Sequence, residues 1–175
     1  MTSAAPNQSW LFKTAQWLTG LRYVKFGLVG ASGTVVNLVV LYLAHHFLFD
    51  SIEEPGSRPY FSLALAIAIA TVNNFTWNRL WTWADRVQAN ASNPQQGPGL
   101  LGQFARYTAA SWFGIGLQYA LTLWFTDALR ELAPWLAASL RPLVANVAAI
   151  VIASVANFLA NDWWTFRRVK KTLDG

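Results

Sequence analysis

The residues of this chain best suited to chemistry are amides, arginines and indoles set at helical spacing. Residues 74–83 read NFTWNRLWTW, and a near copy, NFLANDWWTF, returns at 157–166. Both fit N-F-x-x-N-x-x-W-T-(W/F), which places Asn74 over Asn157, Asn78 over Asn161, Trp81 over Trp164 and Thr82 over Thr165. Asparagines four residues apart share one helical face, and Trp81 and Thr82 continue it a turn later, so each copy is expected to be a polar stripe ending in an indole. Its chemistry is hydrogen bonding. Such a stripe is costly in lipid unless it faces protein or a wet cavity. Taken singly, the amides also fit interhelical hydrogen bonds, and the indoles fit an interfacial belt.

The elements that position these residues belong in a membrane. Of 175 residues 54% are hydrophobic and only 12% charged, against about 25% charged in soluble domains. Aromatic content is high, with ten Trp, five Tyr and eleven Phe. The net charge is +5, but the basic residues flank apolar runs and do not line one soluble face, so anionic membrane lipids are the expected partners and nucleic acid is not. The absence of Cys excludes disulfides, thiolate metal sites and a cysteine nucleophile. His45 and His46 are adjacent, so on a helix they point about 100° apart and make a poor metal pair; no metal site is expected.

In chain order, residues 1–23 are expected to form a cytoplasmic amphipathic segment, with Trp10, Leu11, Thr14, Trp17, Leu18 and Leu21 at helical spacing. It is not a cleavable signal peptide, because the first apolar run begins only at Val24. The first repeat, 24–83, carries transmembrane helices over 24–49 and 60–80. The former would be roughly 39 Å long, enough to cross the hydrocarbon layer. Gly27, Gly30 and Gly33 suggest close helix approach there. Residues 84–103, centred on QANASNPQQGPG, read as a flexible cytoplasmic linker. The second repeat, 104–166, carries helices over 104–129 and 143–163, and the last has small-residue seams at Ala145, Ala149 and Ala153 and at Ala156 and Ala160. A basic cytoplasmic tail, 167–175, follows. Ten basic residues lie on the side of the termini and linker, and three (Arg58, Arg130, Arg141) lie on the other. Both termini are therefore expected in the cytoplasm.

The odd helices also match. Lys25-Phe26 falls on Arg106-Tyr107, Gly33 on Gly114 and Asn37 on Gln118 at an offset of 81, while the even helices match at 83. The expected fold class is all-α integral membrane, with four transmembrane helices in two parallel two-helix repeats.

From Arg22 to Arg168 the sequence resembles the GtrA-like membrane protein family. The resemblance rests on RYVKFGLVGASGT in the first helix, the N-F-x-x-N-R-x-W-T-W end of the second, Arg106-Tyr107 opening the third and the N-F-x-x-N-x-x-W-T-F end of the fourth. It implies a flippase moving a polyprenyl-phosphate-linked sugar across the bacterial cytoplasmic (inner) membrane for cell-envelope polysaccharide glycosylation, without a cofactor. On this reading Lys25, Arg79 and Arg106 bind the lipid phosphate, since cationic forks suit phosphate oxygens. Asn37, Asn74, Asn78, Gln118, Asn157 and Asn161 form the polar translocation stripe, and Trp81, Trp83 and Trp164 contact headgroup or sugar. The second copy departs from the family pattern at Asp162, which falls opposite Arg79. Asp162 is expected to orient that arginine.

No Asp, Glu, Lys or Arg lies in the middle third of any expected helix, so transport would be passive, without an intramembrane proton relay. No G-x-x-x-x-G-K-[ST] loop is present, and no acid, base and nucleophile cluster marks an enzyme. Two further readings stand beside the flippase. One is a non-transporting subunit that anchors or assembles a membrane glycosyltransferase. The other is a small multidrug exporter, which needs a membrane-embedded Glu, whereas Asp50, Asp127 and Asp162 all fall at helix ends. A homodimer is compatible with each.

Overall fold

The computed structural model describes residues 21–50, 57–91 and 97–168. The expected surface segment before Leu21, residues 92–96 of the expected linker and the tail beyond Arg168 lie outside the described residues. The chain is all-helical: α1 spans Arg22–Leu43, α2 Ser57–Trp77, α3 Ala84–Ala91, α4 Leu100–Leu132 and α5 Arg141–Ala160. Among the described residues there is no strand. Three helices run on into a single π turn, α1 over Ala44–Leu48, α2 over Asn78–Thr82 and α5 over Asn161–Thr165.

Two compact units divide the chain, Met1–Val87 and Gln88–Gly175. In the first, α1 packs on α2 through small side chains. Phe26, Val29 and Gly33 are buried on α1, facing a row of Ser62, Ala66 and Ala70 spaced four apart on α2. In the second, Gln103, Tyr107, Ala110 and Gly114 are buried on α4 and Ala145, Ala149 and Ala153 on α5. Lipid supplies no hydrophobic drive between helices, so close packing at small residues has to hold each pair together. Leu38, Ile67, Phe113, Trp124 and Val147 are all exposed, as lipid-facing side chains should be. The chain is a membrane protein.

Three stretches are long and apolar enough to cross a bilayer, Arg22–Leu48, Pro59–Thr82 and Arg141–Thr165. The expected fourth span, α4, has 33 residues and is about 50 Å long, yet is not among them. Its length is ample, but Gln103, Arg106, Gln118, Thr122, Thr126 and Asp127 dilute its apolar content.

Two boundaries differ from expectation. Helix α4 extends beyond 104–129 at both ends and stops at Ala133, whose extended φ of −136° reflects the clash that the following Pro134 imposes on its neighbour. Arg141 then closes the connection to α5, donating from Nε to the Leu136 carbonyl at 3.0 Å and from Nη2 to the Pro134 carbonyl at 3.2 Å. The expected linker, meanwhile, is helical over its first eight residues, α3. Asp85 in the first turn complements the helix dipole and pairs with Arg22 at 2.6 Å. With both side chains more than a third exposed, that pair is worth at most about 1 kcal/mol.

Of the three glycines expected to bring helices together in α1, one does so. A Cβ on Gly33 would collide with the Asn74 amide, whereas one on Gly27 or Gly30 would meet nothing within 4 Å. In α4 a Cβ on Gly114 would sit 3.2 Å from the Asn157 Cβ. Gly27→Ala and Gly30→Ala should therefore stabilise the fold by about 0.5–1 kcal/mol each through better helix propensity, read as a higher melting temperature in detergent. Gly33→Ala must displace the Asn74 side chain and should gain nothing or lose about 1 kcal/mol. Equal shifts for all three would show that the α1–α2 approach at Gly33 is not a close one.

Candidate functional site

The predicted cations and indoles lie at one end of each helical pair, whereas Asn37 and Gln118 lie twelve residues further along α1 and α4. Where α1 begins, the Lys25 ammonium lies over the Trp81 ring, 5.5 Å from its centroid. Where α4 begins, the Arg106 guanidinium lies 5.8 Å from the centroid of the Trp164 ring and donates to the Trp164 carbonyl at 3.4 Å. One step inward, the Phe26 ring meets Trp83 edge to face at 5.8 Å, and Tyr107 meets Phe166 in the same way at 6.5 Å. The cation–indole and the aromatic contact of the first unit each have a counterpart in the second at the offsets of 81 and 83 read from the sequence. The cations are half-buried and their indoles exposed, so a cation and an aromatic face are presented together. Such a pair can receive an anion on the cation and a flat, weakly polar face on the ring.

The π turns decide which indole does this. Because Trp83 N–H bonds the Asn78 carbonyl and Phe166 N–H the Asn161 carbonyl, both at 2.9 Å, each turn holds one residue more than an α turn. The α spacing predicts both Trp81 and Thr82 on the amide face. With the extra residue, Thr82 stays on that face and Trp83 turns into the core, fully enclosed, while Trp81 leaves the face, points outward and is 37% exposed. Trp83 therefore packs against Phe26, and among the three named indoles the open ones are Trp81 and Trp164.

The amides separate in the same way. Asn78 and Asn161 are buried at the start of the π turns, whereas Asn37, Asn74, Gln118 and Asn157 are half-buried. In the first unit Thr82 Oγ1 donates to Asn78 Oδ1 at 2.8 Å. In the second, Asn161 Nδ2 donates to both the carbonyl and the Oδ1 of Asn157 at 2.9 Å, which leaves Asn161 Oδ1 and Thr165 Oγ1 buried without a partner. The innermost amides thus act first as packing. Arg79 and Asp162 occupy matching positions in their π turns, each half-buried.

Two polar residues escaped the sequence reading. Asn146 on α5 accepts from Gln118 Nε2 at 3.1 Å and lies 3.2 Å from Thr122 Oγ1. Gln118 was found through its alignment with Asn37; Asn146 and Thr122 align with Leu63 and Leu41, so comparing copies hid them. The four-residue polar spacing of Gln118, Thr122 and Thr126 on α4 signals Thr122; Asn146 has no such local signal.

A family model described as the GtrA/DPMS transmembrane domain matches residues 25–140 and 128–173. No curated protein matches the chain.

The unlike hydrogen bonding of the two π turns has a measurable consequence. Thr82→Val removes a buried donor from Asn78 and should cost about 0.5–2 kcal/mol, whereas Thr165→Val replaces a hydroxyl that has no partner and should be neutral or stabilising. Melting of the two variants in the same detergent checks this. Equal destabilisation would mean that Thr165 is hydrogen-bonded after all.

Proposed function

We propose that this chain, which belongs to the GtrA/DPMS transmembrane-domain family, carries a polyprenyl-phosphate-linked sugar across the bacterial cytoplasmic membrane for glycosylation of envelope polysaccharide. The observation that carries the reading is the pairing of a cation with an exposed indole at the same end of both units, Lys25 with Trp81 and Arg106 with Trp164. A phosphate needs a cationic donor, a sugar ring offers its C–H face to an indole, and the polyprenyl tail can stay in lipid. Half-buried amides then continue from that end along the helices, Asn74 and Asn37 in one unit and Asn157 and Gln118 in the other.

In this reading α4 is the fourth membrane span and the units are copies of one two-helix repeat. Matched burial supports the latter: Phe26 with Tyr107, Val29 with Ala110, Gly33 with Gly114, Ala66 with Ala149, Asn78 with Asn161 and Trp83 with Phe166. Two crossings per unit return the chain to its starting side, and the ten-to-three bias of basic residues makes that side the cytoplasm. Lys25 and Arg79 in the first unit and Arg106 in the second supply the phosphate-binding cations. Trp81 and Trp164 supply the ring faces. Movement is passive, drawn by consumption of the lipid on the far side.

The purified protein in vesicles, without a glycosyltransferase, should speed inversion of a polyprenyl-phosphate-linked hexose. Arg106→Ala should slow it about tenfold or more, and Arg106→Lys less, because lysine retains the charge but not the fork. Full activity in a Lys25→Ala/Arg106→Ala variant that still folds would remove both from the site. No movement by the unaltered protein would favour the scaffold role. Reporter fusions after Gly56 and after Gln96 should report opposite sides of the membrane; the same side would overturn the four-span topology.

A further inference from the structure

The polar cluster on α4 and α5 is not explained by packing alone. Gln118 Nε2 and Thr122 Oγ1 both approach Asn146 Oδ1, at 3.1 and 3.2 Å. Thr122 Oγ1 also lies 2.8 Å from the Gln118 carbonyl, and its single proton can serve only one of these acceptors. If the two amides are turned over together, Asn146 Nδ2 donates to Gln118 Oε1 and to Thr122 Oγ1, and the hydroxyl donates to the carbonyl. Amide orientation is fixed by such bonding patterns. In either arrangement one end of each amide has no partner among the described residues. All three side chains are half-buried, so those free ends open at the margin of the α4–α5 seam.

The cluster's depth gives those free ends their meaning. Gln118 lies twelve residues from both Arg106 and Arg130, which places it about 18 Å along α4 from either cation. At mid-span no water is at hand to satisfy a free amide end, and no cation is near enough to hold a phosphate. What fits is a neutral group that both donates and accepts at short spacing, which is the property of adjacent hydroxyls. The corresponding positions in the first unit are apolar. Leu41 stands for Thr122 and Leu63 for Asn146, and both line a cleft of about 460 Å3 together with Leu38, Tyr42, His45, His46 and Pro59. Leucine at these two positions therefore suits this helical pairing, so the polar pair in the second unit serves something other than folding.

We propose that Gln118, Thr122 and Asn146 form a mid-span hydrogen-bonding site for the neutral hydroxyls of the lipid-linked sugar. The proposal rests on the flippase reading and adds a place, on the second unit, where the headgroup is held after its phosphate has left the cationic end. It predicts discrimination: the site acts on the sugar and not on the phosphate or the tail.

The test uses the full chain in vesicles with two probes, a polyprenyl-phosphate-linked hexose and the same polyprenyl phosphate without sugar. The variants are Thr122→Leu/Asn146→Leu, which installs the first unit's residues, and Gln118→Met, which keeps the side-chain length. Each should slow inversion of the sugar-bearing lipid about tenfold, the worth of one or two neutral hydrogen bonds, with the sugar-free lipid moving at the unaltered rate and melting temperature held. Wild-type rates on the sugar-bearing lipid, or equal slowing of both probes, would overturn the site while leaving the flippase reading intact. A fall in melting temperature with equal loss on both probes would make the cluster an interhelical lock. Failure of the unaltered protein to move either lipid would overturn the flippase reading and this site with it.

Discussion

Lipid gives a helix neither a hydrogen-bond partner nor a hydrophobic reason to find its neighbour, and this constraint governs the rest of the structure. Both helical pairs answer it with rows of small side chains. Ser62, Ala66 and Ala70 in one unit and Ala145, Ala149 and Ala153 in the other are buried at four-residue spacing, and they let the backbones approach. Large side chains remain for the outer surface, where lipid solvates them. Gly33 and Gly114 mark the points where the approach brings an Asn side chain of the partner helix against bare backbone. The amides thus serve as part of the packing.

Two of the three π turns follow from the same economy of polar groups. By lodging one more residue in the last turn, the turns at Asn78 and Asn161 keep Thr82 or Thr165 on the amide face and swing Trp83 or Phe166 into the core. The cost of the irregular turn is offset by burial of a large aromatic residue against Phe26 or Tyr107. It also leaves the preceding indole outside, beside a cation. The exposed cation–indole pair at one end of each unit is therefore a by-product of how the helix is terminated.

Although the two units share this frame, they differ in polarity at defined positions. Asn78 is satisfied by Thr82, whereas Asn161 turns to Asn157 and leaves Thr165 without a partner. Thr122 and Asn146 meet where the first unit has Leu41 and Leu63. Arg79 is matched by Asp162.

The sequence by itself determined the helical class and the membrane setting, because both are written in composition and in the length of the apolar runs; the family came from the resemblance of its motifs. It also placed Lys25 and Arg106 at matching positions. Whether an indole points in or out was decided by tertiary structure, since an α spacing and a π spacing share the same letters and only the backbone hydrogen bond to Asn78 or Asn161 separates them. The same holds for Asn146. No local pattern pairs it with Gln118, 28 residues away; two helices must first be brought into register by Gly114 and the alanine row. Gly27 and Gly33 likewise look alike in sequence, and only the partner helix, by placing Asn74 against one and nothing against the other, gives them different work.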